Sequence, residues 1–195
     1  MPVTHYILRH GQTDWNAEWR LQGQQNIPLN DTGRQQAREN GARLMALAGD
    51  LAGYDFVASP LDRARETMEL ARAAAGLAPL AYRIEERLKE ICFGDWEGYT
   101  GRELKAMDRA RHRERQVRKW DFVPPGALAE SYEILSWRVG SWLKSLDRPT
   151  VAVCHGGVIR CIFRLVAGTA RADAASLDIP QDRVLVHAGN RLEWM

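Results

Sequence analysis

Three places along the chain put a cationic or basic side chain directly after a short apolar run. Arg9-His10-Gly11 follows His5 to Leu8, Ser59-Pro60-Leu61-Asp62-Arg63 follows Tyr54 to Ala58, and His155-Gly156-Gly157 follows Thr150 to Cys154. A histidine between an arginine and a glycine at a strand end can be held rigidly and approached closely by a ligand. Arg63 falls near the start of an expected helix, where free N–H groups and the positive dipole end suit an anion. The two glycines after His155 would let backbone N–H groups reach the same ligand. A fourth group is Glu90, within Leu88-Lys89-Glu90-Ile91-Cys92-Phe93-Gly94-Asp95-Trp96-Glu97-Gly98. A carboxyl group among apolar and aromatic neighbours can act as a general acid, although composition alone does not choose Glu90 over Glu86 or Glu97. The four groups amount to a nucleophile, an anion grip and a proton donor. Each motif alone also has a plainer reading: a strand end with a solvated arginine, an exposed helix arginine, a tight turn and an ordinary loop acid.

The elements that must position these groups alternate. His5 to His10 reads as a buried strand ending in charge. Asn30 caps an expected helix from Asp31 to Ala48, stopped by Gly49, with Ala37, Leu44, Leu47 and Ala48 at helical spacing. Tyr54 to Ala58 reads as a strand. Ser59-Pro60 reads as a helix start, Ser as cap and Pro at the first helical position, for a helix to Ala75 before Gly76. Leu80 to Ile84 suggests a third strand. Residues 102 to 119 read as one basic helix, with eight Lys/Arg against three Asp/Glu, so a net +5 that leaves the rest of the chain at −3. Residues 120 to 128, containing Pro124-Pro125-Gly126, form a loop. A helix follows from Ser131 to Leu146, with Leu135, Val139, Trp142, Leu143 and Leu146 as core positions. Then come a strand from Thr150 to Cys154, a tight turn at His155-Gly156-Gly157, a helix from Val158 to Val166, and a hairpin of Val184 to His187 and Arg191 to Met195. This alternation implies an α/β sandwich, three layers around a largely parallel sheet. Sites in such sheets form beyond the carboxyl ends of the strands, which is where Arg9-His10, Ser59 to Arg63 and His155 fall.

The 195 residues suit one domain, here 1–195, with a lid-like insertion around 99–130. Hydrophobic residues are 45% and charged residues 27%, ordinary globular proportions. A net charge of +2 is too small to imply nucleic acid or an anionic membrane as a general partner. The first residues lack a signal-peptide layout, and no apolar run reaches membrane-spanning length. Cys92, Cys154 and Cys161 are odd in number and lack metal-finger spacing, so the expectation is inert thiols in a reducing cytoplasm.

Longer blocks carry a resemblance. Arg9-His10-Gly11-Gln12-Thr13-Asp14-Trp15-Asn16 resembles the signature of the histidine phosphatase superfamily, the phosphoglycerate-mutase-like proteins. The likeness continues through Gln22-Gly23, Pro28 to Gly33, Gln36-Ala37, Ser59 to Thr67, Glu90 to Gly98 and Cys154 to Arg160, in the family order. It implies that His10 is a nucleophile forming a phosphohistidine. It implies that Arg9, Arg63 and His155 grip the phosphoryl oxygens, that Glu90 serves as acid and then base, and that Asn16, Gln22 and the Gly156 N–H make secondary contacts. No metal and no cofactor would be needed, and the partner would be a small phosphorylated metabolite; a homodimer is the expected assembly. Many relatives carry Pro-Gly-Gly-Glu-Ser before the long helix. This chain reads Pro125-Gly126-Ala127-Leu128-Ala129-Glu130-Ser131, so extra residues precede the Glu-Ser pair and remodel the loop.

The resemblance implies a metal-independent phosphomonoesterase. The alternatives are a cofactor-dependent mutase, for which the insertion before the second histidine block is short, and a non-catalytic phosphoester-binding module. A metallohydrolase built on His10, His155 and an acid would place a divalent cation beside two arginines and lacks a histidine pair at helical ligand spacing. The basic 102–119 segment reads either as a lid attracting anionic substrates or as a solvated face. Trp15, Trp96 and Trp120 are expected to shape the pocket, and Trp137 and Trp142 to pack in the core or between helices.

Overall fold

The computed structural model describes residues 3–195. Its strands are β1 (Thr4–Arg9), β2 (Asp55–Ala58), β3 (Arg83–Ile84), β4 (Thr150–Cys154), β5 (Val184–Ala188) and β6 (Arg191–Trp194). They form one sheet in the order β3-β2-β4-β1-β5-β6. The pairs β2–β3, β2–β4 and β1–β4 are parallel, while β1–β5 and β5–β6 are antiparallel. The central strands are buried, β4 along its whole length and β1 from His5 to Leu8, because both faces are covered.

The helices are α1 (Asp14–Ala17), α2 (Asp31–Ala48), α3 (Asp62–Ala74), α4 (Gly101–Met107), α5 (Arg109–Val117), α6 (Tyr132–Lys144), α7 (Gly156–Val166) and α8 (Arg171–Ser176). Alternating side chains divide the core between the two sheet faces. Ile7, Val57, Ala152 and Leu185 join a cluster with Leu135, Val139 and Trp142 of α6 and Ile159 and Ile162 of α7. Tyr6, Leu8, Phe56, Ala58, Val151 and Val153 face the other way, onto Leu44 of α2 and Ala64, Met68 and Ala71 of α3.

Register brings the three expected strand ends to one edge. Arg9 pairs with Cys154 and Ala58 with Val153. The chain continues the ladder for one more residue on each side: the His10 N–H donates to the Cys154 carbonyl at 2.9 Å and the Ser59 N–H to the Val153 carbonyl at 3.0 Å. His10, Ser59 and His155 are therefore neighbours. Gly11 and Gly33 let the β1 end lie directly against the first turn of α2. A Cβ on Gly33 would stand 2.1 Å from the Gln12 carbonyl oxygen, and one on Gly11 2.2 Å from that of Gly33.

Several expected elements differ in the structure. Ser59 does not cap a helix: α3 begins at Asp62, capped by Leu61 with no side-chain bond. Ser59 instead stays extended and turns its hydroxyl to His155, 2.7 Å from Nε2. The strand expected over 80–84 shortens to Arg83–Ile84, and Leu80 is exposed. The basic helix of 102–119 is two helices broken at Asp108. That carboxylate accepts from the Arg111 N–H at 2.9 Å, capping α5, while the Asp108 N–H still closes α4 on the Leu104 carbonyl. An Asp that bonds nearby backbone competes with helix continuation. α7 starts at Gly156 rather than Val158, with His155 as its cap residue. The short helices α1 and α8 lie in segments with too few apolar positions to show a period.

Two tryptophan expectations also change. The buried face of α6 carries Tyr132, Leu135, Ser136, Val139 and Trp142, at helical spacing. Trp137 falls off that stripe and is 66% exposed. Trp96 and Trp120 are core residues, stacked on Phe122 and Tyr132 respectively, and Trp15 packs over Gly98. The indole at the pocket mouth is that of Trp19, which is exposed and takes a positive φ of 60°.

Candidate active site

A cavity of about 310 Å³ opens over the carboxyl end of the sheet. Arg9, His10, Asn16, Gln22, Arg63, Glu90 and Gly156, seven of the eight residues singled out in the sequence, line it. The eighth, His155, is wholly buried beside His10, with ring centroids 5.1 Å apart.

The state of His10 follows from its contacts. Its Nδ1 lies 2.7 Å from the Gly11 carbonyl oxygen, which can only accept, so Nδ1 carries the proton. Nε2 then holds the lone pair, and Arg63 donates to it from Nε at 3.3 Å. Burial first, then Arg63 and Arg9, hold the His10 imidazole well below its usual pKa. His10 is thus a neutral ring with its free nitrogen facing a guanidinium. The ring is braced from behind. Gln181 donates to the His10 carbonyl at 3.0 Å, and the Gly11 N–H donates to Thr67 at 3.0 Å.

Arg63 is fully buried and donates to the Gln25 and Gly23 carbonyls at 2.6 and 2.8 Å, which holds its Nε–H toward His10. Arg9 donates to the Ile179 carbonyl at 2.6 Å and keeps a buried Nε without a partner. Burial lowers both guanidinium groups to about 10, so both stay charged at neutral pH. Gln22 Oε1 and His155 Nδ1 are also buried without partners. Unpartnered polar atoms clustered at one cavity mark a place prepared for a polar ligand.

Glu90 is held by backbone. Both its oxygens accept from the Gly157 N–H at 3.1 Å, and Oε1 accepts from its own neighbour Ile91 at 2.9 Å. A Cβ on residue 157 would stand 2.3 Å from Glu90 Oε1, so glycine there is what lets α7 reach the carboxylate. Behind it, Arg138 donates to the carbonyls of Arg87 and Glu90 and pairs with Glu130 at 2.9 Å. Glu130 in turn accepts from the Cys92 N–H at 3.0 Å, and Ser131 caps α6 by accepting from the Ile134 N–H at 3.2 Å. The extra residues of the 125–131 loop bulge outward, with Leu128 88% exposed at a φ of 62°. The Glu-Ser pair still braces the segment that carries Glu90.

Sequence reasoning missed Ser59, Thr67, Arg138 and Gln181 as supports. It also missed Arg160, Tyr132 and Lys119 as wall residues. Arg160 lies one turn into α7, and its proximity to a histidine-led strand end was the available signal. Gln181 and Arg138 offered none, since they sit in segments whose local pattern says nothing about His10 or Glu90. Among the described residues no group of three or more His, Cys, Asp or Glu is placed to hold a metal ion. Nor is any helix long and apolar enough to cross a membrane. Cys154 and Cys161 are buried thiols whose pKa burial pushes up.

Three buried imidazoles make stability depend on pH. His10 and His155 are held well below 6.5 by burial and nearby arginines, and His5 falls to about 4 by burial and His187. Below 6.5 the unfolded chain takes up protons that the folded chain refuses. The folded state is therefore favoured above that pH and weakened as pH falls, by up to about 1.4 kcal/mol per pH unit for each ring. Melting at pH 5.5 is expected about 5–15 °C below that at pH 7.5. Equal melting temperatures would mean that these rings are charged in the folded protein.

Fold and site together define an α/β sandwich with a buried histidine and two arginines facing one polar cavity. The family model of the histidine phosphatase superfamily, branch 1, matches residues 5–190, and the chain belongs to that superfamily. It is 34% identical over 173 residues to a glucosyl-3-phosphoglycerate phosphatase of Mycolicibacterium vanbaalenii, covering 83% of this chain and 73% of that one. It is 32% identical over 170 residues to a phosphoglycerate mutase-like protein of Arabidopsis thaliana, covering 85% and 71%. Among solved structures it is similar to a mycobacterial glucosyl-3-phosphoglycerate phosphatase, with a TM-score of 0.78, 27% identity and coverage of 100% and 97%.

Proposed function

We propose that this chain is a metal-independent phosphomonoesterase that works through a phosphohistidine on His10. The observation that carries the reading is the His10 ring itself: Nδ1–H is committed to the Gly11 carbonyl, and the Nε2 lone pair faces Arg63 at the cavity floor. In the first step Nε2 attacks phosphorus and the ester P–O bond breaks. The departing oxygen takes a proton from the Glu90 carboxyl group, leaving a carboxylate. In the second step Glu90 accepts a proton from water as its oxygen attacks phosphorus, the P–N bond breaks and His10 returns to its neutral form. Arg9, Arg63 and the Gly156 N–H at the start of α7 meet the charge spread over the phosphoryl oxygens. His155, packed on His10 with one unpartnered nitrogen, joins them once the phosphoryl group is bound. Asn16 and Gln22 orient the same group from the wall. No divalent ion is called on, because fixed cations already occupy that role and would repel one.

The substrate in this reading is a small phosphorylated metabolite, as the cavity volume allows. A mutase shares the first step and differs only in passing the phosphoryl group to a bound alcohol instead of water. The test is to incubate the protein with a 32P-labelled phosphomonoester in the presence of EDTA. Inorganic phosphate should be released, and quenched samples should hold label that survives alkali and is lost in acid, as a phosphoramidate is. Retention of all label in an isomeric ester would favour the mutase, and activity abolished by EDTA would count against this mechanism.

A further inference from the structure

Asn16 can present either of two opposite ends to the cavity. Its side chain carries a carbonyl oxygen and an amide nitrogen, and only the nitrogen can donate to a phosphoryl oxygen. Local backbone settles part of the choice. The Thr13 N–H, which can only donate, reaches Asn16 Oδ1 at 3.1 Å and closes the capping box of α1. That helix is a single turn of four residues with no buried side chain, so its cap alone is a weak anchor.

A second anchor comes from 165 positions away: Gln181 Nε2 donates to Asn16 Oδ1 at 3.0 Å and to the His10 carbonyl at 3.0 Å. A backbone carbonyl can only accept, so the nitrogen of Gln181 must face this pair, and both its hydrogens are used. With the Asn16 oxygen held by Thr13 and Gln181, the Asn16 nitrogen, which makes no hydrogen bond among the described residues, is the end left for the cavity.

Gln181 is itself fixed, between α8 and β5, in a segment tied down at four places. Its carbonyl accepts from Asn40 Nδ2 at 2.8 Å, and Asn40 is fully buried on α2. The Asp182 carbonyl accepts from Arg43, also on α2. The Leu177 carbonyl accepts from Arg160 at 2.9 Å and the Ile179 carbonyl from Arg9 at 2.6 Å. One segment thus holds Arg9 by its backbone, and His10 and Asn16 by one side chain. Gln181 does not line the cavity over His10. It lines a neighbouring one of about 700 Å³, with Asn16 and Arg9 in the wall of both, and so is placed to act through those residues.

We propose that Gln181 is a positioning residue for phosphoryl transfer, fixing the Asn16 amide with its N–H groups toward the phosphoryl group while clamping the end of β1 that carries His10. This rests on the phosphatase reading above and adds the residue that sets the donor direction. Without Gln181 the Asn16 amide is held by the α1 cap alone. Once turned, it would set an oxygen against a phosphoryl oxygen.

The experiment measures kcat/KM for p-nitrophenyl phosphate in EDTA with Gln181→Met, Gln181→Glu, Asn16→Ala and the two double variants. Methionine keeps the length without donors. Glutamate keeps the shape but sets a carboxylate against two acceptors, which favours the turned Asn16 amide. Gln181→Met should lose about 10-fold and Gln181→Glu about 100-fold. In the Asn16→Ala background both losses should shrink by about fivefold or more, because the two residues act as one unit. Losses that shrink by less than about twofold overturn the proposal, since a packing defect would simply add to Asn16→Ala. A glutamate variant milder than methionine overturns it too, since glutamate is the closer match in shape. Should Gln181→Met fail to fold by circular dichroism, Gln181→Glu carries the cycle alone. If the wild type releases no phosphate, the phosphatase reading fails by itself, and the same cycle is read calorimetrically in the dissociation constant of inorganic phosphate. Merged losses of phosphate affinity then uphold the role of Gln181, and additive losses or absent binding overturn it.

Discussion

Replacing His10 by alanine is expected to lower kcat/KM on p-nitrophenyl phosphate by at least about 10⁴-fold while leaving the fold intact. Among the described residues, His10 is the histidine that lines the cavity, and the variant removes its ring. His155 is not expected to substitute, because its Nε2 is engaged with Ser59 at 2.7 Å and its role in this reading is to hold the phosphoryl oxygens. Arg9 and Arg63 would still bind the phosphoryl group, so substrate should bind and wait for water alone. Losses of this order are what removal of a covalent nucleophile produces when binding groups remain. The stability cost should be modest, since the lost ring borders a cavity and its one donor bond goes to the adjacent residue. Circular dichroism with steady-state kinetics checks both halves. Activity within tenfold of wild type would remove His10 from the mechanism.

Glu90→Gln should separate the two chemical steps. The glutamine oxygen can still accept from the Gly157 N–H, so geometry survives while the exchangeable proton does not. An alkyl phosphate needs its departing oxygen protonated, and its turnover should fall by about 10²–10⁴-fold. p-Nitrophenolate leaves without that help, so formation of the phosphoenzyme should be nearly spared. The second step still lacks its base. A stopped-flow trace should therefore show a burst of nitrophenolate close to one per active site, followed by slow steady turnover. Equal losses on both substrates with no burst would assign the proton to another group.

The outline of the candidate site was legible because local patterns carried it. Short apolar runs ending in Arg9-His10, Ser59 and His155 imply parallel strands, and parallel strands deliver their carboxyl ends to one edge. Register then made neighbours of residues nearly 150 positions apart, through the Arg9–Cys154 pairing. Glu90 was less legible, since three glutamates in one irregular stretch looked alike. The resemblance chose Glu90, and the structure distinguishes it by its place in the cavity lining and the approach of the Gly157 N–H. The 125–131 loop shows the opposite case. Its altered sequence suggested a disturbed support, yet Glu130 keeps its bonds to Cys92 and Arg138 because the extra residues bulge into solvent.

The sequence by itself determined the layer architecture, the order of the strands and helices that carry the candidate site, and the family to which the chain belongs. Those properties rest on hydrophobic periodicity and on residues close together in the chain. Tertiary structure alone decided which nitrogen of His10 is free, that Ser59 serves His155 rather than a helix, and that the basic segment breaks at Asp108. It also decided that Arg115 and Lys119 turn inward to meet Arg160 while Arg109 and Arg113 turn away. The reason is that a periodic pattern reports which face of an element is buried, whereas the direction of a charged side chain is set by contacts made with other elements. A net charge of +5 over one segment is a sum, and only packing shows which of its cations reach the cavity.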